Sequence, residues 1–96
     1  MLTEQLIVEK LRTVKPLLTK QFHVSEIGYF GSYAKGNATD KSDLDILIEF
    51  SEPVGWDFFR VQDILEETLG IKIDLVTKRA LRPQWREKVL QQLKYV

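Results

Sequence analysis

Between Asp43 and Phe50 the chain alternates almost without error, and this stretch constrains the fold more than any other. Successive side chains of an extended strand point to opposite faces. Leu44, Ile46, Ile48 and Phe50 therefore take one face, while Asp43, Asp45, Leu47 and Glu49 take the other. The result is a strand with one fully apolar side and one mixed side. The mixed side opens with two carboxylates separated by a single residue, and such neighbours repel unless something cationic sits between them. The natural cation is Mg²⁺, and its natural companion is a nucleoside triphosphate.

The rest of the chain supplies elements to cover that strand. Thr3 can cap a helix whose apolar positions Leu6, Ile7, Leu11, Val14, Leu17 and Leu18 recur at three- and four-residue steps. Pro16 interrupts the pattern, so a kink or a fresh first turn is expected there. Ile27 to Phe30 reads as a strand ending at Gly31, followed by a helical turn over Ser32 to Lys35. Trp56 to Leu69 reads as a helix stopped by Gly70, Ile71 to Thr77 as a third strand, and Ala80 to Val96 as a last helix with Pro83 in its first turn. Trp56 and Trp85 read as core or interface anchors. The expected architecture is α/β, of the α+β kind: a small mixed sheet with helices packed on it, forming a single domain over residues 1–96.

Composition narrows the function classes. Fourteen basic and 14 acidic residues cancel, which argues against a dedicated nucleic-acid binder. No apolar run reaches the ~20 residues of a membrane span, and the N-terminus lacks a signal-peptide layout. The absence of cysteine removes disulfides and thiolate metal sites and fits a reducing compartment, so a cytoplasmic location is expected. His23 is the only histidine, which leaves the usual zinc ligand sets incomplete, and it reads as a surface residue near a helix end.

The chemistry-bearing residues form a compound pattern. Asp43 and Asp45 are the minimal protein share of an Mg²⁺ site, and Asp74, within Lys72-Ile73-Asp74-Leu75-Val76, is the candidate third carboxylate. Asp74 sits in an apolar strand, where an unpaired charge is expensive, and it meets the other two if the strands are neighbours. Two cations held this way activate an attacking hydroxyl and stabilise a leaving pyrophosphate. Gly31 permits close backbone approach to a phosphate, and Ser32 stands at the start of a helical turn. Lys35 adds a positive charge near the β- or γ-phosphate, and Ser42, counted with Gly31, Ser32 and Lys35 as a nucleotide-binding candidate, either contacts a loop group or caps the turn before the strand. Gly31 and Gly36 have the glycine spacing of a P-loop, but Asn37-Ala38 stands where Lys-Ser or Lys-Thr is required. A calcium loop starting at Asp43 fails as well, because Leu47 and Ile48 replace an oxygen ligand and the glycine.

Taken together, Gly31-Ser32-Tyr33-Ala34-Lys35-Gly36, Ser42-Asp43-Leu44-Asp45-Ile46-Leu47-Ile48 and Ile73-Asp74-Leu75-Val76 resemble the minimal nucleotidyltransferase (MNT) family of the DNA polymerase β-like nucleotidyltransferase superfamily. The resemblance spans nearly the whole chain and implies a polymerase β palm-like fold. It implies Asp43 and Asp45 as metal ligands, Asp74 as third carboxylate and base, and Gly31 and Ser32 as the triphosphate turn. Proteins similar to this are often encoded beside a HEPN-domain ribonuclease toxin and act as its antitoxin, in some cases transferring AMP from ATP to a toxin tyrosine. One departure stands out: the family usually has arginine where this chain has Lys35, and lysine keeps the charge without the planar two-pronged grip.

Two readings stay open. In one, the chain is an Mg²⁺-dependent adenylylating enzyme with a HEPN toxin as partner in a hetero-oligomer. In the other, it is a non-catalytic antitoxin that neutralises by binding alone. A chain of this length leaves no segment for an acceptor-binding domain, so the acceptor is expected to be presented by another protein or a second copy. Transfer to a small molecule or an RNA end is the weakest alternative.

Overall fold

Helix α1 (Glu4–Phe22) begins at the expected cap, where the Thr3 hydroxyl accepts the Leu6 N–H at 3.2 Å. The computed structural model describes residues 2–96. Ile7, Leu11, Val14, Leu18 and Phe22 share one face of α1 and are buried. The helix runs unbroken through Pro16. Pro16 lies on the exposed side, where water can satisfy the carbonyl left without its usual N–H donor. His23 ends the helix in a left-handed conformation (φ 60°), its N–H donating to the Leu18 and Thr19 carbonyls. Its ring Nε2 lies 2.7 Å from Glu52 Oε1 at the surface.

The chain continues through β1 (Val24–Phe30), α2 (Ser32–Lys35), β2 (Leu44–Phe50), α3 (Asp57–Leu69), β3 (Ile73–Val76), a 3₁₀ turn at Lys78–Ala80, α4 (Pro83–Gln92) and β4 (Lys94–Tyr95). The four strands lie in the order β3-β2-β1-β4. Strand β1 is antiparallel to β2 and β4, and β2 is parallel to β3, so the sheet is mixed, as expected. Helices α1 and α3 cover one face, where Ile27, Tyr29, Leu44, Ile46, Ile48, Ile73 and Leu75 join the helical stripes in one core. Parallel crossovers are right-handed. The β2-α3-β3 and β3-α4-β4 connections travel in opposite directions across the sheet, so α4 belongs on the opposite face. Consistent with this, a Cβ on Gly28 would stand 3.0 Å from Leu93 Cδ1.

Several sequence expectations are corrected. The first strand starts at Val24 and not Ile27, and the third is trimmed to Ile73–Val76 because Thr77 turns outward, its Oγ1 accepting the Ala80 N–H at 3.3 Å. The last helix stops at Gln92. No residue of α4 is buried, so extending it would gain little, whereas Lys94-Tyr95 pairs with the open edge of β1. Lys94 Nζ and Tyr29 Oη both meet the Glu4 carboxylate, at 2.8 and 2.5 Å, which fastens that strand. Of the two alternatives for Trp56 and Trp85, the core one fails, since they are 84% and 52% exposed, and Phe59 is 54% exposed. Helix α3 faces the sheet with Val61, Leu65 and Leu69, and Trp56 and Phe59 project from its other side.

Candidate active site

The sheet face turned away from α1 and α3 is organised in cross-strand rows, because paired residues of neighbouring strands point to the same side. Phe30, Asp45 and Asp74 form the row nearest α2. The next row is Tyr95, Gly28, Leu47 and Val76. Asp45 and Asp74 are direct register partners across the parallel pair, so strand pairing brings the second and third predicted carboxylates together. Asp43 stands just before β2 and is exposed.

Asp74 departs from its expected surroundings. Ile73 and Leu75 are buried on either side of it, but Asp74 itself is exposed, because its side of β3 is the open one. The expense of an unpaired buried charge therefore does not apply to it. Asp45 carries the strain instead. Burial pushes its carboxyl up to about 6, and the Asp74 charge, a hydrogen bond with Asp74 and the Asp43 charge push the same way, while Lys35 opposes them. The Asp43, Asp45, Asp74 and Lys35 charges thus act on one spot.

The turn between β1 and α2 borders this spot. Gly31 has φ 73° and ψ −149°, a conformation nearly restricted to glycine, and it lies against the Asp45 carboxylate. Ser32 opens α2, the Gly31 carbonyl accepts the Lys35 N–H at 3.0 Å, and Gly36 closes the turn at φ 78°. Ser42 is engaged inside its own loop: its Oγ accepts the Thr39 N–H at 2.9 Å, and its N–H donates to the Thr39 carbonyl at 3.0 Å. That arrangement sets the approach to Asp43 and holds the Ser42 hydroxyl in the loop.

The donor set fits Mg²⁺ chemically, since it is three carboxylates and no softer ligand. Among the described residues, however, no three His, Cys, Asp or Glu side chains are gathered closely enough to hold a metal ion. The site is an open surface, and a cavity of about 460 Å³ lies away from it, beside Pro83, Arg86 and Leu90. Sequence reasoning did not single out Phe30, whose register places a half-buried aromatic ring beside Asp45. The period of Glu26, Gly28 and Phe30, opposite Ile27 and Tyr29, carries that signal.

Residues 11–96 match the family model described as a nucleotidyltransferase domain. The protein adenylyltransferase MntA of Thermococcus cleftensis is 41% identical over 97 residues, covering 100% of this chain and 98% of that protein. A solved structure of a protein assigned as a minimal nucleotidyltransferase has a TM-score of 0.83 and 32% identity, covering 97% of this chain and 95% of its own. A crystal structure of a toxin–antitoxin with AMP-PNP has a TM-score of 0.69 and 25% identity, covering 98% of this chain and 72% of that one.

Proposed function

The chain belongs to the nucleotidyltransferase domain family, and from that premise we propose that it transfers AMP from ATP to a tyrosine hydroxyl of a HEPN-domain toxin, in an Mg²⁺-dependent reaction that makes it an antitoxin. The observation that carries this reading is the register pairing of Asp45 with Asp74 beside the Gly31 turn. A relative named protein adenylyltransferase and a structural neighbour from a toxin–antitoxin with AMP-PNP support the donor and the partner class.

In this reading the acceptor oxygen attacks the α-phosphorus, the bond to pyrophosphate breaks on the far side, and AMP stays on the acceptor. Asp74, the exposed carboxylate of the pair, takes the acceptor proton. Gly31 and Ser32 receive the triphosphate, and Lys35 places its charge beside the leaving phosphates. Asp43 and Asp45 would hold Mg²⁺, with Asp74 completing the set, and Mg²⁺ when bound neutralises charge on the phosphates and orients them. Lys35, as a point charge, grips phosphate less directionally than arginine.

The test is the intact mass of the co-purified toxin, with and without ATP and Mg²⁺. A gain of one nucleoside monophosphate supports transfer, and Asp43→Asn must abolish that gain while the protein stays folded. Neutralisation by contact alone is the second reading, favoured by Lys35 standing where the family usually has arginine. If the mass is unchanged and Asp43→Asn still neutralises, that second reading replaces the first.

A further inference from the structure

Four glycines of this chain have positive φ, namely Gly31, Gly36, Gly55 and Gly70. For three of them backbone conformation is the whole reason: a Cβ on Gly36, Gly55 or Gly70 would meet nothing within 4 Å. Gly31 differs. The three atoms nearest a Cβ built there all belong to Asp45, with Oδ2 inside any permitted contact, Cγ at 3.1 Å and the Asp45 Cβ at 3.5 Å. The Asp45 carboxylate thus fills the space that a side chain at position 31 would occupy.

We propose that Gly31 is a positioning residue for Asp45. Its bare α-carbon is the seat of the carboxylate, so the phosphate turn and the second carboxylate move as one unit. The consequence for transfer rests on the functional reading above, whereas the contact itself does not. A methyl group at position 31 evicts the carboxylate from its seat and from its alignment with Asp74 across the strand pair. The response to Mg²⁺ then suffers before the response to ATP does.

Thermal melts in EDTA of the wild type, Gly31→Ala, Asp45→Ala and the double variant read the contact directly. Backbone strain from Gly31→Ala is present in both backgrounds and cancels. The proposal expects Gly31→Ala to lower Tm roughly twice as far in the wild type as in the Asp45→Ala background. Equal losses overturn it. If Gly31→Ala alone fails to fold, a folded double variant supports the proposal, and a double variant that also fails to fold overturns it. For folded Gly31→Ala, the Mg²⁺ concentration for half-maximal transfer should rise about tenfold, with ATP affinity measured without metal changing by less than about threefold. A loss of ATP affinity as large as the change in Mg²⁺ response assigns Gly31 to the phosphate turn alone. If the wild type transfers nothing, the functional reading has failed, and the melts still decide the contact.

Discussion

Asp45 and Asp74 face each other across a parallel strand pair, register partners on the face of the sheet turned away from α1 and α3. Parallel pairing normally juxtaposes apolar side chains of buried strands. Here it brings two carboxylates together while Leu44 with Ile73, and Ile46 with Leu75, bury the opposite side.

Acid should stabilise the cation-free protein through Asp45. Its folded-state value is raised from 3.8 to about 6, so between those values the folded state holds a proton that the unfolded state releases. Stability from this group is therefore highest below the lower value and falls as pH rises through about 6. The carboxyl is half open to solvent, so screening leaves an effect of about 1 kcal/mol. Melting curves in EDTA across this range should show the decline, and Asp45→Asn should flatten it.

Mg²⁺ with ATP should raise the melting temperature, because both bind the folded state alone. Linkage gives about 2.7 kcal/mol at a hundredfold excess over Kd. Asp43→Asn should remove most of that gain while leaving the cation-free melting point unchanged or slightly higher, since it relieves repulsion on Asp45. Calorimetry with and without nucleotide decides it, and a melting point indifferent to both ligands counts against a functional site.

Gly28→Ala should detach the last strand. The new methyl group would stand 2.9 Å from the Lys94 carbonyl oxygen and 3.0 Å from Leu93 Cδ1, so the β4 segment has to retreat. A loss of about 1–3 kcal/mol is expected, typical of overpacking. Hydrogen exchange should show early loss of protection at the Val96 N–H, which donates to the Ile27 carbonyl at 2.9 Å.

Lys35→Arg should tighten nucleotide binding severalfold by restoring a two-pronged contact, with little change in stability, because residue 35 is exposed. Lys35→Ala should weaken binding and raise the Asp45 proton affinity further, since the lysine charge now opposes that rise. Isothermal titration with a non-hydrolysable ATP analogue separates the two variants.

Trp56→Ser should change stability by less than about 0.5 kcal/mol despite the size of the residue, because Trp56 is 84% exposed. A large loss in urea unfolding would mean that the indole is covered in solution.

How much of this was legible in the chain depends on what each residue's neighbours are. The alternation from Leu44 to Phe50 and the left-handed stop at Gly70 are local patterns, and they appear as read, whereas the α1 stripe buries Ile7, Leu11, Val14 and Leu18 but leaves Leu6 and Leu17, at its margins, exposed. The meeting of Asp45 with Asp74 required only that two strands be neighbours, and they are. For Trp56 the core alternative fails because the arc of α3 that meets the sheet carries Val61, Leu65 and Leu69, which hydrophobicity alone does not reveal. The tail from Leu93 to Val96 misled because a helical pattern persists in sequence past the point where tertiary pairing with β1 takes over. The exposure of Asp74 was hidden for the same reason: nothing local says which side of a strand stays bare.

The register between β2 and β3 has a consequence for how this protein can change over generations. Shifting β3 by a single residue would turn Ile73 and Leu75 outward and turn Asp74 into the core in their place. Hydrophobic packing on one side therefore polices the geometry of the reacting groups on the other. Insertions or deletions in the short Gly70–Lys72 connection should be purged for loss of folding before any loss of chemistry is felt.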